Sequence, residues 1–140
     1  MRVGFTGTSL GMAPPQREAL AALLLELGAS EVHHGDGVGA DAELHAIARG
    51  LGLVVVLHPP TDPKKRAFCR AERVEPERPY LDRNRDIVDA STLLIAAPGE
   101  QAGERLRSGT WATVRYAQKR GRRILVVRPD GRREERPPRG

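Results

Sequence analysis

The chain has 140 residues, enough for one domain whose core needs no covalent staples. A hydrophobic fraction of 39% and a charged fraction of 29% exclude a disordered or fibrous chain. No apolar run approaches the ~20 residues a membrane helix needs, and the net charge of +5 with a pI near 10.1 suits a phosphate-bearing partner, either a nucleotide or a nucleic acid.

Arg2–Thr6 (RVGFT) is the first predicted strand. Gly7-Thr8-Ser9 follows directly, small enough to let a ligand reach the backbone and rich in hydroxyls, although an ordinary strand-to-helix turn has the same composition. The spacing of Gly4, Gly7 and Gly11 does not match the dinucleotide fingerprint. Pro14 and Pro15 open a helix over Gln16–Leu27, in which Leu20, Leu23, Leu24 and Leu27 share a face, and Gly28 stops it. Ser30–His34 is a second strand.

The turn Gly35–Gly39 comes next, with glycines at alternate positions that allow successive amides to converge on an anion. Asp36 stands at the strand end, where related folds present a carboxylate to ribose. Asp41 falls in the first turn of the helix Ala40–Gly50, either as a cap or as a ligand contact. Leu53–Leu57 is the third strand. His58–Pro79 is the longest irregular stretch, of the kind that is usually functional in compact domains. It contains Cys69, the sole cysteine, which excludes an internal disulfide and fits a reducing compartment; with no secretory pattern before the first strand, the expected location is the cytoplasm.

A helix is predicted over Tyr80–Ala90, with Arg83 and Asn84 able to reach a site from the side or simply to form a charged face. Thr92–Ala97 is the fourth strand, Pro98–Ser108 a Gly- and charge-rich loop, and Gly109–Arg120 a helix. Ser108, Gly109 and Thr110 open that helix, where unpaired amides and the helix dipole favour phosphate; Ser108 as a plain N-cap gives the same geometry. Arg105 and Arg107 lie just upstream. Trp111 serves either a base or the core. Ile124–Val127 is the fifth strand, and residues 132–140 read as a flexible Arg- and Pro-rich tail after a domain spanning 1–131.

Strands alternating with helices predict a Rossmann-like α/β fold: a doubly wound parallel sheet of about five strands in the order 3-2-1-4-5, with helices on both faces. The order reverses between the first and fourth strands, and ligands bind beyond the strand ends at such a switch point. His33, His34 and His45 with Asp36 and Asp41 raise a metal question, but no pair has zinc-motif spacing, and no metal or cofactor is expected.

The segments GFTGTS, HGDGVGAD, HPP followed by RAF, PYLDRNRDIVD, LLIAAP and RSGTWATVRYAQKRGRRILVV, in this order over Arg2–Gly131, resemble the SLOG superfamily. It joins the DNA-processing protein DprA/Smf to the "lonely guy" (LOG) phosphoribohydrolases, and the match is nearest its small YspA/YpsA-like branch. The resemblance implies a nucleotide-binding domain, commonly a homodimer or higher homo-oligomer. LOG enzymes cleave the N-glycosidic bond of a nucleoside monophosphate with an arginine and with the glutamate of PGGxGTxxE. Arg83 matches that arginine and Gly109-Thr110 match GT, but the glutamate position is Thr113, whose hydroxyl cannot replace a carboxylate.

The expected function is therefore binding of a nucleotide-like small molecule without LOG-type catalysis. Gly7, Thr8, Ser9, Gly35, Asp36, Gly37, Asp41, Arg83, Asn84, Ser108, Gly109 and Thr110 form the expected site, with Arg83 and Asp36 as catalytic candidates if a bond is broken. Two alternatives stand beside it. One is an N-glycosidic hydrolase in which Asp36, Asp41 or Glu100 supplies the missing carboxylate. The other is DprA-like single-stranded nucleic-acid binding through Lys64–Arg78 and Arg115–Arg123.

Overall fold

Period-2 alternation within each strand divides the aliphatic residues between the two faces of one sheet. The computed structural model describes residues 1–137. In chain order these form β1 (Arg2–Gly7), α1 (Pro14–Glu26), β2 (Glu31–His34), α2 (Ala40–Gly50), β3 (Val54–Leu57), β4 (Arg73–Val74), α3 (Tyr80–Asp89), β5 (Leu93–Ala97), α4 (Gly109–Lys119), β6 (Arg123–Val127) and β7 (Arg133–Arg136).

In β5, Leu93, Ile95 and Ala97 point to one side and join Leu20, Leu24 and Leu44 from α1 and α2. Leu94 and Ala96 point to the other side, with Ile124 and Val126 of β6, and meet Val88, Trp111, Val114 and Ala117. Helices therefore cover both faces, and β5, buried at every position, is the continuous apolar strand expected at the centre of a parallel sheet.

The sheet has 7 strands in the order β4-β3-β2-β1-β5-β6-β7. Its middle reproduces the expected order. Both edges extend it. β4 is a two-residue strand parallel to β3 inside the stretch expected to be irregular; its side chains are exposed, so no apolar pattern marked it. β7 runs antiparallel to β6 and lies in the stretch expected to be a flexible tail. Its sequence is Arg-Glu-Glu-Arg, and it is held by backbone pairing and by ion pairs from Arg123 to Glu135, Arg128 to Glu134 and Arg133 to Glu26. Such a strand carries no hydrophobic signal, and its charges also blunt the sheet edge. The rest of that expectation, residues 138–140, lies outside the described residues.

The strand ends converge where the order reverses. Thr8 N–H donates to the Ala97 carbonyl at 3.0 Å, joining the exits of β1 and β5. Buried Gln16 donates from Nε2 to the carbonyls of Pro98 and Val127, at 2.9 and 2.8 Å, and so fixes the exits of β5 and β6.

Candidate functional site

Beyond the exits of β1, β2 and β5 lies a cavity of about 530 Å³. Of the expected site residues, Gly7, Thr8, Ser9, Gly35, Gly37, Asp41, Arg83, Asn84, Ser108, Gly109 and Thr110 line it. Segments far apart in sequence thus line one cavity because the parallel topology delivers their loops to one end of the sheet.

The first wall is the β1 loop. Ala40 N–H donates to the Thr8 carbonyl at 2.9 Å, pinning the loop to the start of α2. Gly39 makes this approach possible: its φ is +84°, and a Cβ there would meet the Ser9 carbonyl carbon at 2.5 Å. Glu43 accepts from Met12 N–H at 2.6 Å and pairs with Arg17 at 3.1 Å, which fastens the rest of the loop.

The second wall differs from the expected open anion nest. Gly37 N–H donates to Asp41 Oδ2 at 3.0 Å, so the anion in that nest is the protein's own carboxylate. Burial pushes the Asp41 carboxyl up to about 6, against the opposing pull of Arg83 and of the Gly37 and Gly35 amides.

Asp36 does not face the cavity. Its backbone is left-handed at φ 53°, and it is fully buried. Its carboxylate accepts from Arg66 Nε at 2.9 Å and from Cys69 N–H at 2.8 Å, while its carbonyl accepts from Ala67 N–H at 2.8 Å. The expected ribose contact is thus replaced by a clasp that ties residues 66–69 to the end of β2. That clasp carries Lys64 and Lys65 to the cavity wall, two residues the sequence offered only as part of a basic stretch.

Arg83 forms the floor. Its guanidinium donates to the Gly35 carbonyl, to the His58 carbonyl at 3.1 Å and to Asn84 Oδ1 at 2.6 Å. Burial lowers its pKa from the usual arginine range, with Asp41 and Asp36 acting to raise it. A Cβ on Gly35 would sit 2.5 Å from Arg83 Cζ, so glycine is the residue this packing accepts.

The third wall is the start of α4. Ser108 Oγ accepts from Trp111 N–H at 3.4 Å, which makes it the N-cap, and Gly109 and Thr110, whose amides have no intrahelical partner at the start of the helix, line the cavity. Thr113 is buried and donates to the Gly109 carbonyl at 2.7 Å. Trp111 cannot stack on a ligand: it is wholly buried, and its indole N–H donates to Glu100 Oε1 at 2.7 Å.

The cavity also gathers charge. Lys64, Lys65, Arg105 and Arg107 line it, and none has a carboxylate partner among the described residues. The basic stretches offered for nucleic acid are partly neutralised internally: Arg66 pairs with Asp36, Arg73 with Glu31, Arg78 with Asp86, Arg115 with Glu104, Arg120 with Asp89 and Arg123 with Glu135, while Arg70, Lys119 and Arg122, like Lys64 and Lys65, have no carboxylate partner among the described residues. Arg85 lies over the Tyr116 ring, 5.2 Å from its centroid.

The histidines form two pairs on opposite faces of β2, the first buried and the second partly so. His33 Nδ1 meets His58 Nε2 at 2.8 Å, and His34 Nε2 meets His45 Nδ1 at 3.0 Å. Donor atoms of His34, His45 and Cys69 lie within 4.8 Å of one another. They do not fit an ion. His34 Nδ1 accepts from Asp36 N–H at 2.9 Å, so its proton sits on Nε2, the atom a metal would need. Burial also pushes the Cys69 thiol up to about 12, away from the thiolate that would serve as ligand or nucleophile.

No family model matches the sequence, and no curated protein sequence matches it. Solved structures do. The molybdenum cofactor binding protein from the phototrophic bacterium Rippkaea orientalis superposes with a TM-score of 0.71 at 18% identity, over 91% of this chain and 76% of that one. DNA processing protein A (DprA) from Streptococcus pneumoniae gives 0.69 at 18% identity over 89% of this chain, which spans about half, 49%, of DprA. A structural-genomics target gives 0.67 at 17% identity, over 93% and 75% of the two chains. No helix among the described residues is long and apolar enough to cross a membrane. What the chain shares with these proteins is a fold.

Proposed function

We propose that the protein binds a phosphorylated, nucleotide-like small molecule in the cavity at the switch point of its sheet. One observation carries this reading: Lys64, Lys65, Arg105 and Arg107 line one concave site without carboxylate partners among the described residues, while most other described arginines are paired. These four cations outnumber the two carboxylates of the cavity, Asp41 and Glu100, and the excess favours an anion that the chain does not itself supply. The first turn of α4 adds amides and the positive end of a helix dipole, which supports Ser108, Gly109 and Thr110 as the phosphate contact. Gly37 is taken by Asp41, so the phosphate is assigned to α4 alone.

The names of the fold neighbours agree in kind, since one is named for binding the molybdenum cofactor and another for processing DNA. The finer placement on the YspA/YpsA-like branch rests on the sequence segments. Isothermal titration with adenosine 5′-monophosphate (AMP) and inorganic phosphate tests the reading. Saturable binding that is lost in Ser108→Glu, which puts a carboxylate where the phosphate would sit, is the expected result; no binding by the unaltered chain to either compound refutes it.

Asp41 favours one second reading, hydrolysis of the bound molecule. Of the three carboxylates offered for that role, Asp36 is buried against Arg66; Glu100 and Asp41 both line the cavity, Glu100 held by the Trp111 indole and Asp41 by the Gly37 amide, and of these two Asp41 has its pKa raised toward neutrality. Free base released from AMP by the wild type but not by Asp41→Asn would establish it. A chain that binds AMP and leaves it intact removes it.

A further inference from the structure

The chain has only 2 Phe, 2 Tyr and 1 Trp. Phe5 and Trp111 are buried in the two core layers. Tyr116 donates its hydroxyl to Asp89 at 2.9 Å on the outer side of α3, and Phe68 lies outside the cavity beneath the Arg66 guanidinium at 4.5 Å. Tyr80 alone both lines the cavity and stays accessible, at 41% exposure.

Its position is specific. As the first residue of α3 it stands against the start of α4, with its Cε2 3.8 Å from where a Cβ on Gly109 would lie. Its ring face is covered by a side chain from across the cavity: Lys65 Nζ sits 3.9 Å from the ring centroid. That contact is a cation–π pair at a partly wet site, a weak interaction. Among the described residues Lys65 has no carboxylate partner that would hold it there.

We propose that Tyr80 is the stacking platform for the ligand's heteroaromatic ring, and that Lys65 leaves it for the phosphate when the ligand enters. The proposal rests on the phosphate reading above and adds the other half of the ligand, a planar nitrogen heterocycle. The exchange is chemically matched. A phosphate gives the ammonium a full negative charge in place of a ring quadrupole, and the vacated ring face offers the heterocycle a π-surface. The closeness of Tyr80 to Gly109 also limits size. A heterocycle on the ring and a phosphate on the first turn of α4 are spanned by one sugar or a similar short linker, so the fitting class is a mononucleotide rather than a dinucleotide.

Titrating the full chain with AMP and, separately, with ribose 5-phosphate separates the two halves. AMP should bind more tightly than ribose 5-phosphate to the wild type. Tyr80→Ala should weaken AMP by about tenfold or more, the scale of losing one base–aromatic stack, and leave ribose 5-phosphate unchanged or slightly tighter, because Lys65 is released. Tyr80→Phe should keep AMP binding, and Lys65→Met should weaken both compounds. An equal loss of both in Tyr80→Ala makes the ring a mere wall and overturns the platform, as does no loss of either. If the wild type binds ribose 5-phosphate and AMP equally, the platform fails while the phosphate site stands. If it binds neither, the phosphate reading fails and the platform falls with it.

Discussion

At the residue scale, Asp41 sets the electrostatics of the cavity. Its carboxyl is raised from the ordinary 3.8 to about 6, chiefly by burial. A carboxyl raised on folding favours the protonated native state. That contribution is complete below the unfolded value and is lost as pH rises through the folded one. Asp41→Asn copies the neutral form at every pH. It should therefore stabilise the chain by roughly 2–3 kcal/mol above pH 6 and by little below pH 4, read as the difference in thermal unfolding between variants across that range. A constant difference would show that Asp41 does not titrate in this window. The same residue explains one departure from expectation. The sequence placed Gly37 beside Asp41, but only the helical turn from Ala40 folds that carboxylate back onto the amide.

At the scale of elements, β7 serves the site from a distance. Arg128, at the end of β6 and buried, pairs with Glu134 of β7 at 2.8 Å and donates to the carbonyls of Glu100 and Gly103 at 3.2 and 2.9 Å. Its guanidinium and that of Arg136 also lie 5.2 and 5.1 Å from the Trp111 ring. The loop between β5 and α4, which presents Arg105 and Arg107, is thereby tied to the edge of the sheet. Arg128→Ala should cost about 2–3 kcal/mol, since several charge-assisted bonds go at once. It should also free the loop, so that trypsin cuts after Arg105 and Arg107 well before the chain unfolds. Urea unfolding and limited proteolysis with mass spectrometry test both effects, and unchanged cleavage would show that β7 does not restrain the loop.

For the whole molecule, the buried histidines set the acid limit. Burial takes His34 down to about 3 and His58 to about 4, and each is further lowered by neighbouring histidines. A histidine depressed on folding contributes stability above its unfolded value, near 6.5, and loses it as pH falls through the folded one. The chain should lose thermal stability between pH 6.5 and pH 4, opposite in sign to the Asp41 effect in the same range. Replacing His34 and His58 together by Gln should flatten this slope. Melting temperatures across the range test it, and an unchanged slope would place the acid sensitivity in other groups.

By itself the sequence determined the strand–helix alternation, the central strand order and the set of loops that meet at one end of the sheet. Those follow from local periodicity, from turn residues and from the topology that parallel pairing imposes. Tertiary structure alone decided where each charge points. Asp36 turns inward to hold residues 66–69 because its left-handed backbone aims the carboxylate there; Trp111 is spent on the core, and Tyr80 is left at the cavity. The edge strands β4 and β7 were illegible for a related reason. They are made by backbone hydrogen bonds and ion pairs between distant residues, and neither leaves a periodic trace in the chain.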